Sequence, residues 1–237
     1  MKNNELDLLA PKFGNFSAPT PEHLLMKNQE AIPVNIKLFK AALAGSIAGV
    51  QDALIQGGKP DFFFRQEDSK NALHVASESG YLDIVQVLLS HGAVPDCRVA
   101  STKDTALILA TASGQDEVVE ALIGAGAKVN TSKGDLFAPY VYLFLLSGLG
   151  NTYGNTPLHE AARIGSMRIL KLLLDRGAKI NATNKRGSTP LHLFCYGVDE
   201  DQFTLEKLRT LIRAGADVNA CDTQGFTPFL VCCASGR

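Results

Sequence analysis

The sequence predicts an all-α solenoid of stacked helix–turn–helix units joined by β-hairpin or loop fingers. Two recurring phrases carry the prediction, and they keep register with each other. Thr156-Pro157-Leu158-His159-Glu160-Ala161-Ala162 returns as Thr189-Pro190-Leu191-His192, as Asn71-Ala72-Leu73-His74-Val75-Ala76 and as Thr227-Pro228-Phe229. Downstream of each full copy a second phrase returns, as Leu88-Leu89-Ser90-His91-Gly92-Ala93, Leu122-Ile123-Gly124-Ala125-Gly126-Ala127, Leu173-Leu174-Asp175-Arg176-Gly177-Ala178 and Leu211-Ile212-Arg213-Ala214-Gly215-Ala216. Self-similarity at a near-fixed period is the mark of a repeat architecture.

Each residue type has a physical task. Thr156 and Thr189 suit a helix N-cap, where a side-chain oxygen can serve an orphan N–H. Pro157, Pro190 and Pro228 stand at the first helical position, where the missing N–H costs nothing. Gly45, Gly80, Gly114 and Gly165 mark the turn after each first helix, and the glycine of the second phrase ends each second helix. In Leu82-Asp83-Ile84-Val85-Gln86-Val87-Leu88-Leu89 the apolar residues share one helical face. One pair of helices cannot bury that face, so neighbouring units must stack.

The second-phrase glycine falls at 57, 92, 126, 177 and 215, at intervals of 35, 34, 51 and 38 residues. A unit of about 33 residues with the phrase T-P-L-H-x-A is the ankyrin signature. From about Ile36 to Arg237 the chain therefore resembles the ankyrin repeat family.

The organisation that follows is an N-terminal arm at 1–33, with Pro11, Pro19, Pro21 and Pro33 and no sustained period, then a degenerate capping repeat at 34–60. Full repeats are expected at 61–98, 99–130, 152–183 and 184–220, the last with an acidic loop around Asp199-Glu200-Asp201. A truncated repeat occupies 221–237. In the second and third units the consensus proline is missing, as Asn71-Ala72 and Thr105-Ala106, and Ile108 stands where the family has histidine. That is expected to weaken local hydrogen bonding without changing the fold.

The long interval reflects an insertion at 131–151. Its apolar core, Gly134 to Gly150, includes Leu136-Phe137-Ala138-Pro139-Tyr140-Val141-Tyr142-Leu143-Phe144-Leu145-Leu146. It is too short and too interrupted by Pro and Gly for a membrane span. Three readings stay open: a segment folded back on the solenoid, a docking loop, or retained non-coding sequence. The glycines from Gly148 to Gly154 do not make a dinucleotide turn, because no strand–helix–strand unit follows.

Charge and cysteine narrow the function. The net charge is −1, which provides no bulk attraction to nucleic acid or anionic lipid. It is uneven: 61–122 holds ten acidic and four basic residues, and 123–237 holds nine acidic and thirteen basic. Residues 163–186 concentrate Arg163, Arg168, Lys171, Arg176, Lys179, Lys185 and Arg186, read first as solvated helix surface. Five cysteines with no C-x-x-C and no zinc spacing fit reduced thiols. The acidic start, Met1 to Asp7, lacks the apolar run of a signal peptide. The expectation is a cytoplasmic or nuclear protein. Asn130, Asn181 and Asn219 share one repeat position, which explains them without glycosylation.

His74, His159 and His192 all occupy the T-P-L-H position and are expected to hydrogen-bond backbone between neighbouring units. No nucleophile or carboxylate sits at motif spacing to them. Neither enzyme activity nor a cofactor, metal, small-molecule substrate, nucleic acid or membrane partner is expected.

The resemblance implies protein partners, bound by hairpin tips and first-helix ends on a concave face. Matched onto this chain, the hairpin positions are Glu67, Asp68, Lys70, Ser101, Thr102, Asp104, Thr152, Tyr153, Asn155, Lys185, Arg186, Ser188, Thr223, Gln224 and Phe226. The helix-end positions are Glu78, Ser79, Ala112, Ser113, Arg163, Ile164 and Tyr196. Among them Tyr153, Arg163, Lys185, Arg186 and Tyr196 are the candidate binding residues, because aromatic and arginine side chains dominate interface energy. Phe226, Phe229, Leu230, Val231, Cys232 and Cys233 are expected to make an apolar helix with no following helix to cover it. The expectation there is a fragment of something longer, the other reading being a frayed, sticky end; the alternative function is the regulatory array of a larger enzyme or channel whose active domain lies beyond Arg237.

Overall fold

The computed structural model describes residues 33–64, 70–99, 102–131, 154–164, 166–197 and 204–234. They form an all-α repeat solenoid. A first helix α1 is described over 33–43, followed by α2 (Ile47–Ile55), α3 (Ala72–Ser79), α4 (Leu82–Ser90), α5 (Ala106–Ala112) and α6 (Asp116–Gly124). Then come α7 (Pro157–Arg163), α8 (Met167–Asp175), α9 (Pro190–Tyr196), α10 (Thr204–Arg213) and α11 (Pro228–Ala234). Among the described residues the β structure is limited to two isolated antiparallel bridges, Phe64 with Lys70 and Arg98 with Thr105.

The helices sort into two rows. First helices α3, α5, α7, α9 and α11 pack in succession, as do second helices α2, α4, α6, α8 and α10. The helix pairs α1–α2, α3–α4, α5–α6, α7–α8 and α9–α10 are units 1 to 5, and α11 opens a sixth. The core runs along the stack as a thin layer, with Leu73, Leu107 and Leu158 facing Val85, Leu88, Val119, Leu122, Leu170 and Leu173, all buried.

The second phrase recurs because it closes a helix in one way. Gly92, Gly126, Gly177 and Gly215 take φ values of 86°, 90°, 78° and 90°, the left-handed region where glycine is unstrained. The alanine after each returns its N–H to a leucine five residues back: Ala93 to Leu88, Ala127 to Leu122, Ala178 to Leu173 and Ala216 to Leu211, at 2.9–3.0 Å. This satisfies helix-end carbonyls that would otherwise be orphaned.

The first phrase recurs because its histidine joins two units. His159 Nδ1 accepts the N–H of Thr156 at 3.1 Å, and its Nε2 lies 3.0 Å from the Ser188 carbonyl of the next unit. His192 repeats this with Thr189 at 3.1 Å and Phe226 at 3.0 Å. His74 does so with Asn71 at 3.3 Å and the Cys97 carbonyl at 3.0 Å. A nitrogen that accepts an N–H must carry the lone pair, and one that faces a carbonyl must carry the proton. Each ring is thus the neutral Nε2–H tautomer. The expected backbone bonding between units is met at all three histidines.

A second ladder runs beside it. Asp61, Asp96, Asn130 and Asn181 each accept, through Oδ1, a backbone N–H of the following unit: Val94, Lys128, Lys179 and Asp217, at 2.8–3.0 Å. Asn130 and Asn181 also donate Nδ2 to the Gly177 and Gly215 carbonyls, both at 3.0 Å. This geometry accounts for the shared register of the asparagines.

The joint between units 3 and 4 differs. Ile108 fills the histidine position with a buried apolar side chain, and Thr105 keeps only a long bond, 3.4 Å, from the Ile108 N–H. Among the described residues the side-chain links across this joint include Asn130, a short hydrogen bond from Ser166 Oγ to Asp116, and Arg168 paired with Glu117 at 3.2 Å and Glu120 at 2.6 Å. The acidic and basic stretches of the sequence meet here. Exposed pairs of this kind contribute little each.

At the other end Phe229 of α11 is 72% exposed, whereas Leu158 at the same repeat position is 0% exposed. Phe226 precedes this helix rather than lying in it. The insertion core 134–150 and the acidic loop Asp199–Asp201 lie outside the described residues.

Two outcomes are expected. Ile108→His should reach the Asn155 carbonyl and raise stability by about 0.5–1.5 kcal/mol, with slower amide exchange in α5 and α7. Burial pushes the His74 pKa from 6.5 down to about 4. The unfolded chain then binds the proton more readily between those values, so stability should fall as pH drops from about 6.5 to 4, by up to about 3 kcal/mol. Urea midpoints across that range check this, and His74→Gln should show a shallower loss.

Candidate interaction surface

The clearest finger is the turn between units 4 and 5. Asn184 Oδ1 accepts the N–H groups of Arg186 at 2.9 Å and Ser188 at 3.0 Å, while the Asn184 N–H donates to the Ser188 carbonyl at 3.0 Å. Gly187 turns the chain at φ 72°, and a β-carbon there would come within 2.9 Å of the Thr223 nitrogen. Only glycine fits. The result is a tight tip that exposes Lys185 and Arg186. Asp222 builds the next finger in the same way, accepting from Gln224 and Phe226, both at 2.9 Å. The two fingers are tied by the Thr223 N–H on the Arg186 carbonyl at 2.8 Å.

At the far end of the first helices, Arg163 closes α7 and Tyr196 closes α9. Tyr196 is 47% exposed and Ile164 44% exposed. The two helix ends are close-packed, since a β-carbon on Gly197 would lie 2.7 Å from the Arg163 carbonyl. Seven-residue α9 separates Tyr196 from the Lys185–Arg186 tip by about 10 Å of helix.

Beneath this surface lies a buried polar network. Glu160 is 0% exposed; its Oε1 accepts Asn155 Nδ2 at 3.0 Å and its Oε2 accepts Arg163 Nε at 3.3 Å and Nη2 at 3.0 Å. Asn155 Oδ1 in turn accepts Asn184 Nδ2 at 2.9 Å. The finger, the α7 start and the α7 end are thereby one rigid unit. Arg163 holds a buried carboxylate as well as showing a face to solvent. In unit 2, Lys70 and Glu78 make a related link at 2.6 Å.

Of the five candidate residues, Arg163, Lys185, Arg186 and Tyr196 are placed on this face, and Tyr153 lies outside the described residues. Three of the nominated hairpin positions are buried: Asp104, Asn155 and Ser188. They serve the stack rather than a ligand. The basic stretch is solvated surface as expected except at Arg163, which is partly buried on Glu160; Arg168 pairs with Glu117 and Glu120, and Lys171 with Glu206, at the surface. Sequence reasoning missed Glu160. The signal was available, because the same position holds Val75, Leu109 and Leu193 in the other units.

The histidines are committed to backbone, and burial lowers the pKa of His159 as it does that of His74. Burial, then the charge of Asp61, raises the Cys97 thiol to about 11, which opposes a thiolate there. Among the described residues no helix is long and apolar enough to cross a membrane, and no His, Cys, Asp or Glu cluster of three converges.

A family model described as ankyrin repeats in three copies matches residues 38–133, and a single ankyrin repeat model matches 153–185 and 186–223. The chain belongs to the ankyrin repeat family. Ankyrin repeat and KH domain-containing protein mask-1 of Caenorhabditis elegans is 32% identical over 132 residues, covering 47% of this chain and 5% of that protein. A Caenorhabditis elegans homologue of transient receptor potential cation channel subfamily A member 1 is 31% identical over 126 residues, 53% of this chain and 9% of that one. Ankyrin repeat and SOCS box protein 11 of Danio rerio is 33% identical over 121 residues, 51% and 34% respectively. The chain thus spans between a twentieth and about a third of these relatives. Ankyrin repeat arrays are in general protein-interaction modules rather than catalysts.

Arg163→Ala is expected to cost about 1–3 kcal/mol, because Glu160 is left buried without its cation. A urea midpoint equal to that of the unmodified chain would show that the pair does not hold the α7 end.

Proposed function

We propose that this ankyrin array binds a protein partner through its concave face, with Lys185 and Arg186 at the finger tip and Arg163 and Tyr196 at the first-helix ends as the contact residues. Tyr153, one finger earlier, is assigned to the same surface by its repeat position. The observation that carries the reading is the 184–187 turn. Asn184 and Gly187 fix it, and the Asn155–Glu160–Arg163 network braces it, so the backbone that carries its exposed cations is ordered before a partner binds. Tyr196 adds a half-exposed aromatic, the residue type most enriched at interface centres. No catalytic role is assigned to any residue, and the reading places the module in the cytoplasm.

Arg163 is a poor probe, because changing it disturbs Glu160. Lys185→Glu with Arg186→Glu, and separately Tyr196→Ala, should weaken capture of a cross-linked partner at least tenfold while leaving helical circular dichroism unchanged. Undiminished capture by both variants rejects the surface.

One observation favours a second reading. A relative named as a cation channel subunit matches this chain over 9% of its own length. In that reading the array is the recognition part of a larger channel or enzyme polypeptide, and sequencing the native transcript past the Arg237 codon decides between the two.

A further inference from the structure

The turns that follow the second helices line a shallow cleft of about 720 Å³ that is largely open to solvent. Its lining includes Arg98, Lys128 and Arg176, and no acidic residue. The three cations come from three successive parts of the stack. Arg98 lies between units 2 and 3, Lys128 in the turn after α6, and Arg176 at the end of α8.

Helix electrostatics do not explain the set. Arg176 stands at the negative end of α8, where a cation is favoured. The same cap position is Gln56 in α2, His91 in α4 and Ala125 in α6, so the dipole does not require arginine there. Lys128 Nζ lies 3.6 Å from Asp96 Oδ2, an exposed contact of small worth. The other Asp96 oxygen is already bound by the Lys128 N–H. Asn130, which also lines the cleft, spends its amide on the Gly177 carbonyl and the Lys179 N–H. Recognition there rests on charge.

The form of the charge follows from the spacing. Stacked helices lie about 8–10 Å apart, and an extended chain rises about 3.3 Å per residue. Carboxylates three residues apart therefore keep step with successive units. A compact phosphate instead calls for donors fixed on one point, whereas these cations stand on three separate turns of the stack. We propose that this cleft binds a carboxylate-rich, extended segment of a partner polypeptide, as a docking site separate from the finger surface.

The test uses the full chain and a fluorescently labelled peptide, Glu-Gly-Ser-Glu-Gly-Ser-Glu, followed by anisotropy at about 50 mM salt, where screening is modest. Saturable binding is expected, weakened at least tenfold by Lys128→Glu with Arg176→Glu. Lys128→Gln with Arg176→Gln should weaken it in the same direction, and this neutral pair keeps the test valid if charge reversal unfolds the chain. Lys185→Glu with Arg186→Glu should leave it unchanged. The proposal is overturned if the peptide does not bind, if both cleft variants bind it as well as the unmodified chain, or if only the finger variant loses it. Displacement by inorganic pyrophosphate at lower concentration than unlabelled peptide overturns it in favour of a phosphate site.

Discussion

The stack depends on a buried, neutral histidine that belongs to two units at once. In His74, His159 and His192 one ring nitrogen accepts the N–H at the start of its own helix, and the other donates to a carbonyl beyond the next turn. The bond is local on one side and long-range on the other. It fixes where a helix begins and how far away the next unit sits. At His74 and His159 burial strengthens such bonds and penalises the charged ring, so one desolvation makes those two clamps firm and acid-sensitive together.

A joint without this clamp, that between units 3 and 4, shows what the clamp does. At Ile108 the apolar contact persists, but the directional link is lost, and the joint is carried by the Asn130 bridge and by side chains of α6 and α8. Hydrophobic burial stacks the units without specifying their angle; hydrogen bonds specify it. The array is thus uniform in fold and uneven in how its joints are held. The acidic and basic stretches of the chain touch here, where Arg168 of unit 4 meets Glu117 and Glu120 of unit 3.

The same economy governs the surface. The finger tip is exposed because the residues around it are buried and bonded: Asn184 folds the turn, Gly187 admits the next finger, and Asn155 links the turn to Glu160 and Arg163. Residues that vary between units can therefore change a binding surface without altering the scaffold. This also explains why family positions transfer imperfectly. Asp104, Asn155 and Ser188 occupy hairpin positions yet point their chemistry inward.

The sequence alone determined the fold, because the repeated phrases encode local events: a cap, a proline at the first turn, a left-handed glycine and an alanine that closes the helix. It also determined the role of the histidines, since a residue locked to one repeat register must serve the repeat. Only the tertiary structure decided the rest. That Glu160 is tied through Asn155 to Asn184, that Arg168 and Lys171 meet carboxylates of neighbouring units, and that Arg98, Lys128 and Arg176 share one cleft all involve residues far apart in the chain. Their meeting is set by how the units stack, and periodicity within a unit carries no record of which side chains face each other between units.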